Sequence, residues 1–119
     1  MVLNLTRYHE IDWDPEDDPN GNLAHCLHPD HLGPEPERVV AEVLREEPVE
    51  VKMRVRTAQF VIVGPDSARS RWWVILFDTS HKRGDWLRPV TGWRAKAAER
   101  QAWEQGRRGG AINPWLMGI

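Results

Sequence analysis

Six consecutive apolar residues, Trp72-Trp73-Val74-Ile75-Leu76-Phe77, form the longest apolar run of the chain. A helix that crosses a bilayer needs about 20 such residues, so the run is no membrane span. It has the length of a β-strand, and neither side of its pleat carries a polar residue. Residues 71–79 are therefore predicted as a central strand, apolar on both faces. With 119 residues, the chain is long enough for one domain with a modest core and too short for two.

The segments around this strand follow two different periods. Residues 14–21 read as a loop, because Asp, Pro, Asn and Gly all favour turns. Asn22 is placed to cap a short helix from Leu23 to about His28, stopped by Pro29. A second helix follows, with Pro34 and Pro36 suited to a first turn and Glu35 and Glu37 to the positive end of its dipole. Val39, Val40, Val43 and Leu44 give that helix one apolar face. At Val49 the period changes: Val49, Val51, Met53 and Val55 alternate with charged residues, as in a strand with one wet face. Residues 59–63 continue it or form a second strand. Trp86-Leu87-Arg88-Pro89-Val90 is a last strand, and Pro89 makes it an edge or gives it a bulge. Residues 94–105 hold Ala95, Ala97, Ala98 and Ala102 with no breaker before Gly106, which predicts a helix. The expected fold class is α+β, with two N-terminal helices, a three- to four-stranded antiparallel sheet and a C-terminal helix. It would occupy residues 1–105. Residues 106–119 form a glycine-rich tail whose Trp115-Leu116-Met117 end could dock on its own domain or on a partner.

The net charge of −2 conceals a strong asymmetry. Residues 1–50 carry 13 acidic and three Lys or Arg side chains, whereas residues 51–119 carry five and 13. Such a chain presents an electropositive surface in its second half and compensates it in its first. A pI of about 6.2 argues against an indiscriminate, wholly basic nucleic-acid binder. The single cysteine, Cys26, excludes an internal disulfide. The N-terminal residues lack the features of a secretory signal, and the cytoplasm is the expected location.

Three constellations could carry chemistry. His25, Cys26, His28 and His31 are potential metal ligands, but no second ligand cluster with zinc-site spacing follows, and Pro29 opposes bringing His31 round. No metal and no cofactor are expected, and the histidines are left for capping, packing or acid–base work. The second is a basic set, Lys52, Arg54, Arg56, Arg71, Lys82, Arg83, Arg88, Arg94, Lys96 and Arg100, interleaved with Trp72, Trp73, Trp86 and Trp93. Guanidinium groups bind phosphate in bidentate fashion and indoles stack on unpaired bases, which together suit single-stranded RNA. The bland alternative is a wet strand face beside core tryptophans. The third pairs Glu99 with Trp103 on one helical face, either a general base or an exposed ion-pairing surface. There is no G-x-x-x-x-G-K-S/T loop, G-x-S-x-G elbow, H-E-x-x-H or G-x-G-x-x-G, so nucleotide hydrolysis, serine acyl transfer and dinucleotide redox chemistry lack their usual support.

Taken in order, these segments resemble the BrnT-like toxins of bacterial type II toxin–antitoxin systems and related small domains of RelE-like fold. Ile11-Asp12-Trp13-Asp14-Pro15 is similar to that family's W-D-P start, and Asn22-Leu23-Ala24-His25 to its N-x-x-K/R-H-G segment. Gly33-Pro34-Glu35 with Val39, Val40, Val43 and Leu44 is similar to its V-x-x-E-E-V-x-x-V helix. Val63-Gly64 matches an I-G strand end, and Trp73-Val74-Ile75-Leu76-Phe77 an L-x-V-V-Y/F strand. Arg88-Pro89-Val90-Thr91-Gly92-Trp93 stands where the family has R-P/I-I-S/T-A-R, and Glu99 with Trp103 where it has E-x-x-x-Y. The resemblance spans about residues 11–105. The chain departs from it at Trp93, with Arg94 one place on, at Trp103, which has no hydroxyl, and at Cys26, where glycine is usual. Residues 27–32, strand residues 49–56 and the tail are additions.

The resemblance implies metal-independent cleavage of RNA by attack of a ribose 2′-hydroxyl. It makes His25 and Glu99 the acid–base candidates, with Arg88 catalytic and Arg88, Arg94 and Arg71 clamping phosphate, and it leaves Trp93 or Trp103 to stack a base. It also implies a cognate antitoxin, of ribbon-helix-helix type, covering the basic surface. Two alternatives are a non-catalytic protein-interaction domain of the same fold and a structural zinc protein built on His25, Cys26 and His28.

Overall fold

The computed structural model describes residues 10–51 and 58–107. In it the apolar run becomes strand β4 (Trp72–Thr79), the middle of a five-stranded sheet. On one side β4 pairs antiparallel with β3 (Phe60–Pro65), and β3 with β2 (Val49–Val51). On the other it pairs antiparallel with β5 (Trp86–Arg94), and β5 lies parallel to β1 (Glu10–Ile11). The strand order is β1-β5-β4-β3-β2.

The double apolar face of β4 is explained by cover from both sides. Trp72, Val74 and Leu76 pack with Val61 and Val63 of β3, Val49 and Val51 of β2, and Ala102 and Trp103 of helix α3 (Ala97–Arg107). Trp73, Ile75 and Phe77 pack with Ile62, with Cys26 of helix α1 (Asn22–Cys26) and with Val40 and Val43 of helix α2 (Pro36–Arg45). Two helices thus cover one face of the sheet and the third covers the other. Trp72 and Trp73 both belong to the core, one on each side.

The α+β class and the order of two helices, a sheet and a helix agree with expectation, but the sheet differs. It is mixed and has five strands, because the N-terminal segment joins it in parallel to β5. Two residues are too few to show a period, so β1 leaves no pattern in the sequence. Strand β5 runs on to Arg94, and α3 begins at Ala97 instead of Arg94. The bulge foreseen at Pro89 is present: Leu76 faces Thr91 but Phe77 faces Pro89, so Val90 has no partner. Residues 52–56 of the alternating strand, with Lys52, Arg54 and Arg56, and residues 108–119 of the tail lie outside the described residues.

Asn22 does not cap α1 from outside. Gly21 holds the N-cap position and Asn22 is the first helical residue, with its side chain buried. Its amide Nδ2 donates to the carbonyls of Asp12 (2.9 Å) and Pro89 (2.8 Å), and its Oδ1 accepts from the Asp14 N–H at 2.8 Å. One buried amide therefore joins the end of β1, the following loop and the β5 bulge.

Candidate active-site cleft

The surface where α1 and the loop after it lie against β5 holds two neighbouring clefts. The first, of about 430 Å³, is lined among others by Asn20, His25, Asp78, Arg88 and Thr91. The second, of about 550 Å³, is lined by Pro29, Asp30, His31, Trp93, Arg94, Lys96 and Glu99. They meet at two histidines, for the rings of His25 and His31 are stacked with centroids 4.2 Å apart.

Local structure accounts for that stack. After α1 the chain turns at Pro29 and closes back on itself through Leu32 N–H to Cys26 O (3.0 Å) and His31 N–H to His28 O (2.9 Å). Gly33 at φ +83° completes the turn in the left-handed region that glycine tolerates. Leu32 is buried against Gly92, where an added Cβ would lie 2.7 Å from Leu32 Cδ2 and from the Val74 carbonyl oxygen. The loop can thus sit directly on β5. Pro29 does not keep His31 away, as the sequence led one to expect; the turn it starts carries His31 round onto His25.

Each imidazole is held by one nitrogen. His25 Nε2 lies 2.9 Å from Thr91 Oγ1, and His31 Nδ1 lies 3.0 Å from the His25 carbonyl oxygen. A carbonyl can only accept, so His31 Nδ1 carries the hydrogen and its Nε2 is the exchangeable position. Partial desolvation against β5, reinforced by the neighbouring His31 and His28, lowers the His25 pKa below its usual value. The shift favours the neutral form of the His25 imidazole.

The remaining candidates are divided. Arg88 lines the first cleft, but its guanidinium is bidentate on Asp14 (3.1 and 2.7 Å) and touches Asp12 at 3.4 Å, so its charge is compensated within the fold. Arg94 and Lys96 are exposed on the second cleft and form no ion pair among the described residues. Trp93 is half-buried there, and its Nε1 donates to Glu99 Oε2 at 3.1 Å. Glu99 is 2% exposed, and its Oε1 accepts the Lys96 backbone N–H at 2.8 Å. That contact caps α3 from its third residue, so each Glu99 oxygen already has a structural partner. Trp103 is 4% exposed, packs edge-on to Trp72 and donates to the Glu47 carbonyl, out of reach of a base. Arg71 lies in a third cleft, with Glu35, Arg38, Glu42 and Trp73.

The structure therefore brings His25 together with Arg88, and Trp93 with Arg94 and Glu99, but separates Arg71 and Trp103 from both groups. His31, Thr91 and Lys96 complete the surface; the sequence marks His31 only as a potential metal ligand and Lys96 only as one of the basic set, and it does not mark Thr91. Cys26 faces the core, away from the histidines, and burial pushes its thiol up to about 11. Among the described residues no group of three or more His, Cys, Asp or Glu could hold a metal ion, and the His25–Cys26–His28 set is not one. No helix of the described residues is long and apolar enough to cross a membrane. Compared with models of protein families, with curated proteins and with solved structures, the chain finds no match in any of the three.

Proposed function

We propose that the chain is an endoribonuclease of the toxin class its sequence resembles, with a RelE- and BrnT-like fold, acting on RNA by attack of a ribose 2′-hydroxyl on the adjacent phosphate. The supporting observation is the imidazole of His25, fixed by Thr91 at 2.9 Å and stacked on His31, which lines the cleft that also holds Arg94 and Lys96. In the tautomer whose Nε2–H donates to Thr91, the His25 lone pair is on Nδ1, ready to take the 2′-hydroxyl proton. Arg94 and Lys96 would hold the phosphate and stabilise the charge that develops on it, and the half-buried Trp93 ring would flank a base. An antitoxin of ribbon-helix-helix type would act by covering this surface. Three expected participants are reassigned: Glu99 to capping α3, Trp103 to the core and Arg88 to its ion pairs with Asp12 and Asp14.

The test is incubation of the purified chain with mixed-sequence RNA in EDTA. Expected are fragments ending in 2′,3′-cyclic phosphate and 5′-hydroxyl, no cleavage of 2′-O-methylated RNA, and a loss of about 10²-fold or more in His25→Ala. Cleavage that survives 2′-O-methylation, or no cleavage at all, overturns the proposal. The burial of Glu99 and Trp103 favours the second reading, a non-catalytic binding module, and tight RNA or antitoxin binding without cleavage would select it.

A further inference from the structure

Cleavage by a 2′-hydroxyl needs two proton transfers, one from the attacking oxygen and one to the leaving 5′-oxygen. Without the second, an alkoxide must depart with its full charge. Glu99 is already engaged by the Lys96 N–H and the Trp93 indole, so the donor has to be sought elsewhere.

We infer that His31 is that donor, acting through its Nε2–H as the acid partner of His25. The inference rests on the ribonuclease reading above and deepens it. His31 lines the cleft that holds Arg94 and Lys96, His25 lines the adjoining one, and the two rings stack, so a phosphate held at the junction would meet both imidazoles along one edge of the stack. The His25 carbonyl fixes the His31 tautomer: Nδ1 keeps its hydrogen in both protonation states, and only Nε2 gains or loses one. Two rings stacked at 4.2 Å repel when both are charged, so a proton on one disfavours a proton on the other. The chemistry requires that asymmetry, a neutral base beside a charged acid. The same coupling is visible in His25, whose pKa is lowered in part by the charge of His31.

The step balances without a further reactant. The 2′-oxygen gives its proton to His25 Nδ1 and its electron pair to phosphorus, and the bond from phosphorus to the 5′-oxygen breaks. The 5′-oxygen keeps that bond's electron pair and takes the proton from His31 Nε2. The products are a 2′,3′-cyclic phosphate and a 5′-hydroxyl, with His25 protonated and His31 neutral. Exchange with solvent restores the starting pair.

A substrate whose leaving group needs no proton separates this role from a structural one. The variant is His31→Asn, because its amide can still donate to the His25 carbonyl and hold the loop. The substrates are mixed-sequence RNA and the four nucleoside 3′-(p-nitrophenyl) phosphates, whose nitrophenolate leaves unprotonated. Expected is a fall of about 10²- to 10⁴-fold on RNA with His31→Asn and a change within about threefold on the nitrophenyl esters. His25→Ala is expected to lose both activities. Equal losses on both substrates in His31→Asn would make His31 a positioning residue and overturn the inference, as would no loss on either. A wild-type chain that cleaves neither substrate would instead remove the ribonuclease proposal, and this one with it.

Discussion

Adjacent residues of α1 show how local geometry separates chemistry from packing. His25 and Cys26 are about 100° apart around the helix, which turns one toward the cleft and the other into the core. Cys26 has no exposed surface, and its thiol is pushed up to about 11 by burial. At pH 8 a thiol of that pKa is about 0.1% thiolate, more than 100-fold less than an ordinary cysteine, and thiolate is the reactive form. Ellman's reagent is therefore expected to modify the native chain at less than about a hundredth of the rate seen in urea. Comparable rates would show Cys26 exposed and reopen the zinc alternative. The partnership of His25 with His31 was harder to read from sequence. In the sequence Pro29 reads as a barrier, whereas in the fold it builds, with Gly33, the turn that returns the chain. A proline and a left-handed glycine bracketing a histidine are the available signal, but which residue the returning histidine meets is decided by β5, far away in sequence.

Helix α3 illustrates the limit of periodicity at the scale of an element. The spacing of Glu99 and Trp103 puts them on one helical face, and that much was legible. It does not say whether the face looks at solvent or at the sheet. Here it looks inward: Trp103 packs on Trp72, and Glu99 joins the Lys96 N–H to the Trp93 indole. The strand signals were more reliable, because a run apolar on both faces has few places to go, and Pro89 in a strand asks for an edge or a bulge. Strand β1 carried neither signal, since its place depends on the carbonyl of Leu87 and the amide of Asn22 and not on its own two residues. If Glu99 serves the element, its removal should be read in stability. Glu99→Ala deletes a cap and leaves the Trp93 N–H without its partner, which is expected to cost about 1–3 kcal/mol in urea unfolding. At a temperature where the variant stays folded, the proposed RNA cleavage is expected within about threefold of wild type. A fall of 10²-fold with unchanged stability would return Glu99 to the catalytic set.

Across the whole molecule, the division into an acidic and a basic half is partly an internal pairing. Asp12 and Asp14, from the acidic half, accept from Lys82 and Arg88 of the basic one and so tie the N-terminal segment to the last strand. Burial works to raise the Asp12 carboxyl, but hydrogen bonds from Ser80 and Lys82 and the charges of Lys82 and Arg88 outweigh it and hold it below the usual range. Asp14 is lowered to about 2, first by the Arg88 hydrogen bond and then by the Asn22 backbone N–H. Arg88 is thus a structural tie, and Arg88→Ala tests the fold before it tests catalysis. Asp12 is 3% exposed and would keep only Ser80 and Lys82, so a loss of about 3 kcal/mol is expected. The pH dependence follows from the same pairs. A carboxylate with a depressed folded pKa stabilises the native state fully above its unfolded value near 3.8, and the contribution drains away as pH falls through about 2. Stability measured by urea midpoints is therefore expected to lose about 1–2 kcal/mol between pH 4 and pH 2 from Asp14 alone, allowing for solvent screening. Asp14→Asn should be less stable at pH 7 and should lack that part of the acid decline, so that the two profiles converge near pH 2. Parallel profiles across the window would mean that the bridge from Asp14 to Arg88 does not hold the N-terminal segment to the sheet in solution.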